Sequence, residues 1–258
     1  MKLIRLGLLL IFFFTLLVFF NSTTQASHSW GNYHWGRINN PFTLKLGDNL
    51  SSSWDPYLST ASADWSVSSV LDTNIVPGLT TSRRCKASNG RIEVCNYKYG
   101  RNGWLGLAQI WVNGDHITQG IAKVNDSYFN SPPYNTTPWK NLVMCQEIAH
   151  AFGLDHQDED FNNPPLGTCM DYSNDPTLNQ HPNQHDYDQL ELIYSHLDSV
   201  NTFAFSAPSA RFQNLDEDLD KPEKWGKELK RNKGTALYER KINQKEKVYT
   251  FVIWVQNQ

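Results

Sequence analysis

Apolar and polar residues alternate over Phe42-Thr43-Leu44-Lys45-Leu46, the two-residue period of a strand with one buried face. Trp54, Leu58, Ala61 and Trp65 then recur at helical spacing, so an amphipathic helix is expected to pack on the sheet that holds this strand. Residues 81–99 read as a hairpin around Ser88-Asn89-Gly90-Arg91, because Asn-Gly suits a tight turn between strands. Further strands are expected from Leu105 to Val112 and from Asp115 to Asn125. Leu142, Val143, Ile148, Ala149 and Phe152 follow a helical pattern after Pro138, a residue well suited to a helix start. Another helix is expected from Asn183 to Leu197, with Tyr187, Leu190, Ile193, Tyr194 and Leu197 on one face. Beyond a polar stretch, Thr235 to Ile242 and Lys247 to Val255 read as two strands joined by Asn243-Gln244-Lys245-Glu246.

This mixture predicts an α+β fold. With 258 residues, 40% of them hydrophobic, the chain can bury one core and carry a small appendage. The partition expected is a signal segment over 1–26, a main domain over 27–198, a linker over 199–224 and a C-terminal β-hairpin appendage over 225–258. The linker carries the acidic run Asp216-Glu217-Asp218, which reads as a solvated charge cluster. A net charge of −3, with no long basic run, gives no support for nucleic-acid binding. Lys2 and Arg5 precede an apolar run from Leu6 to Phe20, and Thr24-Gln25-Ala26 offers small residues for cleavage. This is the pattern of a secretory signal, so a secreted, extracellular protein without a lasting membrane anchor is expected.

Export permits disulfides, and four cysteines allow three pairings. Cys85 and Cys95 flank the Asn-Gly turn, which favours Cys85–Cys95. Cys145 would then pair with Cys169, joining the residue before Gln146 to the residue before Met170.

The chemistry concentrates in Gln146-Glu147-Ile148-Ala149-His150-Ala151-Phe152-Gly153-Leu154-Asp155-His156. On a helix, positions 146 and 150 lie on one face, with Glu147 beside it. Gly153 suits a helix-ending left-handed turn, which can bring His156 back toward the same point. Thr168-Cys169-Met170-Asp171-Tyr172 follows downstream. The first block resembles H-E-x-x-H-x-x-G-x-x-H, the zinc signature of the metzincin metallopeptidases, except that Gln146 stands for the first His. The second block resembles their Met-turn.

The resemblance spans roughly Trp35 to Leu197. It implies a twisted mixed sheet with an edge strand, an active-site helix, a Met-turn with Met170 as apolar floor, and a C-terminal helix. It also implies Zn2+ as cofactor with Gln146, His150 and His156 as ligands, Glu147 as general base, and Tyr172 as metal ligand or oxyanion partner. A protein or peptide substrate is expected to dock as an added strand on an edge strand between Ile117 and Val124. Gln offers only a neutral amide oxygen, a weaker zinc ligand than imidazole. His116, His181 and His185 are the other histidines considered as replacements. Secreted proteins with a similar Cys-Gln-Glu-x-x-His-x-Phe-Gly-Leu-Asp-His-Gln-Asp block form a metzincin-like group, which implies that the Gln belongs to the group. Two functions follow from these residues: a secreted zinc metalloendopeptidase, or a catalytically silent relative that binds peptides.

Overall fold

A computed structural model describes residues 27–161, 163–204, 219 and 221–256. The expected signal segment and the acidic run at 216–218 lie outside these residues. Among the described residues, no helix is long and apolar enough to cross a membrane.

The strands are β1 (His34–Trp35), β2 (Phe42–Asn49), β3 (Leu71–Pro77), β4 (Ser88–Asn89), β5 (Arg91–Tyr97), β6 (Trp104–Asn113), β7 (His116–Asn125), β8 (Lys227–Arg231), β9 (Thr235–Lys241) and β10 (Glu246–Trp254). The helices are α1 (Asp55–Trp65), α2 (Asp126–Phe129), α3 (Thr137–His150) and α4 (Gln184–Ile193). All ten strands join one sheet in the order β3-β2-β5-β7-β6-β10-β9-β8, with β1 and β4 both pairing to β7. β3, β2, β5 and β7 run parallel, whereas β6 and β10 are antiparallel to their neighbours. The fold is therefore α+β on a mixed sheet.

On β2, Phe42, Leu44 and Leu46 point into the core while Thr43 and Lys45 face solvent, as the alternation predicts. α1 and α3 pack together under the sheet. Trp65 links them by donating its indole N–H to the Cys145 carbonyl at 3.2 Å. The opposite face carries two smaller clusters, one of them built from Trp104, Leu107, Trp225, Ala236, Tyr238 and Val252. The C-terminal strands thus contribute their own core residues.

Four expectations need correction. First, β7 is an interior strand, paired to β5 on one side and β6 on the other, so residues 117–124 offer no open edge. Polar residues interrupt β7 (Thr118, Gln119, Lys123), which suggests a half-solvated strand, yet Gln119 and Lys123 are buried by the neighbouring elements, and nothing local to the strand marks its place in the sheet order. Second, the segments flanking Asn89-Gly90 do not pair as a hairpin. β4 pairs with β7 instead, because both edges of β5 are taken by β2 and β7. Third, α4 stops at Ile193. The Arg37 guanidinium caps the exit by donating to the Tyr194 carbonyl at 2.7 Å and to the His196 carbonyl, which leaves Leu197 exposed. Fourth, the C-terminal strands are not a separate hairpin. β10 pairs along β6 from Glu246↔Asn113 to Trp254↔Trp104, and β8 adds a further strand to β9.

Candidate metal centre

α3 carries the motif on its C-terminal half, where Cys145, Gln146, Glu147, Ile148, Ala149 and His150 are all buried. The helix ends at Ala151, and Gly153 follows with φ 105°. A Cβ at Gly153 would also overlap the Tyr33 carbonyl oxygen, so both the turn and the close approach call for glycine. The turn returns the chain, and His156 Nε2 comes to 3.1 Å from His150 Nε2, with the rings nearly perpendicular.

The other nitrogen of each ring is already engaged. His150 Nδ1 lies 2.8 Å from the Leu154 carbonyl, which can only accept, so Nδ1 donates. Burial pushes His150 well below the ordinary imidazole range, so the ring is neutral and its Nε2 presents a lone pair. His156 Nδ1 lies 3.1 Å from Glu159 Oε1, the carboxylate–histidine pairing that orients metal-binding imidazoles. Burial works against the Glu159 carboxylate, but hydrogen bonds from His156 and Lys230 outweigh it and hold its pKa down at about 2. With both Nδ1 atoms engaged, the two Nε2 atoms are left facing each other. Their separation is close to the edge of a tetrahedral zinc site, about 3.3 Å for metal–nitrogen bonds of about 2.05 Å. The pair therefore fits two ligand positions of a zinc ion.

Glu147 is buried, and neither carboxylate oxygen has a hydrogen-bond partner among the described residues. Burial raises its pKa well above the usual carboxylate range. The carboxyl packs against β6, where a Cβ at Gly106 would overlap Oε1. A buried carboxyl without a hydrogen-bond partner is uncommon and calls for an explanation, an unplaced water or ion among them.

Gln146 sits one turn before His150 and lines a small, mostly apolar cavity of about 10 Å³ with Leu105, Trp139, Phe161, Tyr172 and Ile253, room for about one water molecule. Tyr172 is fully buried, its ring edge-on to His156 with centroids 4.9 Å apart. Its hydroxyl donates to the Gly234 carbonyl at 2.8 Å, and burial pushes the phenol well above its usual range. Met170 is buried in the core, and its carbonyl accepts from Gln157 N at 2.6 Å. Cys145–Cys169 and Cys85–Cys95 are both bonded. The first ties α3 to the turn that carries Met170.

The histidines considered as replacements lie elsewhere. His181 pairs with Asp64 at 2.7 Å, His185 stacks on His28, and His116 meets Asp198. From the sequence, Glu159 belongs with Asp155, Asp158 and Asp160 to an acidic cluster without the spacing of a calcium loop; its partnership with His156 is new. The place of Glu159 three residues after His156 was the available signal.

The C-terminal strands close over this centre. The Phe251 ring stacks on His150 at 4.2 Å with an interplanar angle of 6°. Lys230 Nζ reaches Glu159 Oε2 at 2.7 Å.

No protein-family model matches the sequence, and no curated protein matches it. Among solved structures, the chain is similar to high choriolytic enzyme 1, a hatching enzyme zinc-protease from Oryzias latipes (medaka fish). The TM-score is 0.35 and the identity 11%, over 64% of this chain and 96% of that chain. The fold and site define an α+β protein whose central helix presents two converging histidines and a buried glutamate.

Proposed function

We propose that the chain is a zinc-dependent metallopeptidase of metzincin type whose cleft is closed by its own C-terminal strand. The observation that carries this reading is the approach of His150 Nε2 to His156 Nε2 at 3.1 Å beside the orphaned Glu147 carboxyl. Gln146 is the further ligand offered by the same helix face. A bound zinc ion supplies Lewis acidity toward a scissile carbonyl and lowers the pKa of water. Glu147 takes the water proton on a carboxylate oxygen and passes it to the leaving amine. Tyr172 can donate to a developing oxyanion only after releasing the Gly234 carbonyl.

The substrate expected is an extended peptide, and the strand that suits it is β6 rather than β7. β6 borders the helix through Gly106 and would form the sheet edge if β10 moved away. Secretion belongs to the same reading and rests on the N-terminal sequence pattern.

The second reading, a silent peptide-binding relative, is favoured by β10 on β6 and by Phe251 on His150. One experiment separates the two. Zinc content, peptide binding and cleavage of a fluorogenic peptide library are measured for the full chain, for Phe251→Ala and for Phe251→Ala with Glu147→Ala, and zinc content also for His150→Ala/His156→Ala. Cleavage that rises in Phe251→Ala and vanishes when Glu147 is also replaced, with one equivalent of zinc lost in His150→Ala/His156→Ala, supports the peptidase. Peptide binding without cleavage in any of them supports the silent relative, and neither cleavage nor peptide binding refutes both.

A further inference from the structure

A second cluster of metal-ligating side chains lies away from α3, where three distant segments meet. His34 stands on β1, His116 opens β7, and His196 and Asp198 follow α4. His34 and His116 are register partners in the β1–β7 pair, so the ladder itself brings them together. Asp198 Oδ1 lies 3.3 Å from His34 Nε2, 3.1 Å from His116 Nε2 and 3.5 Å from His196 Nε2. His34 Nε2 and His196 Nε2 are 3.2 Å apart. The His34 ring is nearly perpendicular to both His116 and His196.

Hydrogen bonding alone accounts poorly for this arrangement. A carboxylate oxygen has two lone-pair directions, and three imidazole nitrogens compete for Asp198 Oδ1. His34 Nδ1 already donates to the Asn32 carbonyl at 2.6 Å. His34 Nε2 therefore faces the Asp198 oxygen and the His196 nitrogen at once. The other carboxylate oxygen is fixed, since Arg37 donates to Asp198 Oδ2 from its backbone N–H at 3.1 Å and from Nη1 at 2.9 Å. This leaves Oδ1 aimed at the imidazoles. Four of the six ligand–ligand separations lie at 3.1 to 3.5 Å, around the edge of a tetrahedral zinc site, about 3.3 Å, and the ligand atoms of His34, His116 and Asp198 all fall within 4.8 Å of one another.

We propose that His34, His116, His196 and Asp198 form a second zinc-type cation site, which clamps the N-terminal arm and the segment after α4 onto the start of β7. Ligand type, spacing and supporting hydrogen bonds meet the requirements of a metal site. So does access, because His196 is exposed, His116 is partly exposed, and an open depression lined by Gly31, Asn32, Asp115 and Leu192 adjoins them. Three imidazoles and one carboxylate favour Zn2+ over Mg2+ or Ca2+. Closing four ligands around the ion gives it a structural rather than a catalytic part.

The test is independent of the proposed peptidase function. The full chain carrying His150→Ala and His156→Ala is dialysed against Zn2+ and analysed for bound metal. The expected result is one equivalent of zinc, lost when His116→Ala and His196→Ala are added, and a zinc-dependent rise in Tm that disappears with it. Should the first background fail to fold, the wild-type chain is compared with His116→Ala/His196→Ala alone, and the expected drop is from two equivalents to one. Circular dichroism of the metal-free proteins checks that the fold is kept. Zinc content unchanged by the loss of His116 and His196, or no zinc in the first background while its fold is intact, overturns the proposal.

Discussion

Replacing Gly106 by alanine probes where the Glu147 carboxyl sits. A Cβ on Gly106 would overlap Glu147 Oε1 and lie 2.6 Å from Val143 Cγ1 and 2.9 Å from Glu147 Cδ. Neither neighbour can swing into solvent, because both are fully buried. Overpacking a close-packed interior by one methyl group costs about 1–3 kcal/mol. Exchanging glycine for alanine in a strand returns about 0.5–1 kcal/mol of backbone entropy. The net loss expected for Gly106→Ala is about 1–2 kcal/mol. Glu147→Ala acts the other way. It removes an unsatisfied carboxyl whose burial costs about 1–3 kcal/mol and gives up one methylene worth about 0.8 kcal/mol plus a small cavity. Glu147→Ala is therefore expected to leave the metal-free protein as stable as wild type or slightly more so. Combined, the two changes fit each other, since the new methyl enters space the carboxyl has left. The coupling expected from the four-member cycle is about 1–2 kcal/mol in favour of the double variant. Urea unfolding with the disulfides intact gives it directly, as midpoint shifts at constant m-value. Additivity within about 0.5 kcal/mol would place the carboxyl away from β6 and remove the structural basis for Glu147 as the buried base.

Three further outcomes are expected. Gly234→Val drives a side chain into Phe161 and Tyr172, since even a Cβ there lies 2.5 Å from Tyr172 Cε1. It should lower stability by about 1–3 kcal/mol and speed hydrogen exchange along β10 more than along β2, and uniform protection of both strands would refute it. Cys145→Ser with Cys169→Ser removes a link across 24 residues, for which loop-closure entropy gives a loss of about 3.5 kcal/mol; a melting scan under non-reducing conditions checks it. Burial raises the pKa of Asp186 to about 6 despite hydrogen bonds from Thr168 and Asn183. The folded state then holds this proton more tightly than the unfolded chain, so its contribution to stability falls as pH rises from about 4 to 6 and stays low above that. Asp186→Asn cannot ionise, and its Tm relative to wild type should climb across the same window, whereas parallel Tm–pH curves would contradict the assignment.

The parts of the fold legible in the sequence are those fixed by neighbours along the chain. Phe42, Leu44 and Leu46 announce a strand because one face of β2 is solvated. Pro138, the apolar spacing and Gly153 delimit α3 within a few residues. β6 and β7 are buried on both faces, so their composition names them as strands but says nothing about which one stands at an edge. The pairing of β10 with β6 joins segments more than 130 residues apart and leaves no local trace. At the candidate metal centre, the motif spacing places His150 Nε2 and His156 Nε2 3.1 Å apart. The engagement of Tyr172 by Gly234 depends on the C-terminal strands and was hidden. The grouping of His34, His116, His196 and Asp198 was hidden for the same reason: only His196 and Asp198 are close along the chain, and the β1–β7 ladder supplies the rest.

The covering of β6 bears on both functional readings. An exposed strand beside a cleft invites pairing with any extended chain, and proteins commonly protect such edges by covering them. Here the cover is specific. β10 takes the whole length of β6, and the C-terminal strands also engage the motif residues themselves: Phe251 on His150, Gly234 on Tyr172 and Lys230 on Glu159. Freeing the edge therefore disturbs the surroundings of both histidines, so substrate access and the state of the metal centre are coupled through one strand. A peptide arriving from solution competes with a segment tethered to the same chain, which binds intramolecularly at an effective concentration of its own. Weak peptides would leave the cover in place. Only a partner that matches β6 in backbone pairing and also offers a side chain for the place of Phe251 would displace it. Under the peptidase reading this makes closure a selectivity device, and under the silent reading it makes the C-terminal strand the resident ligand of the groove.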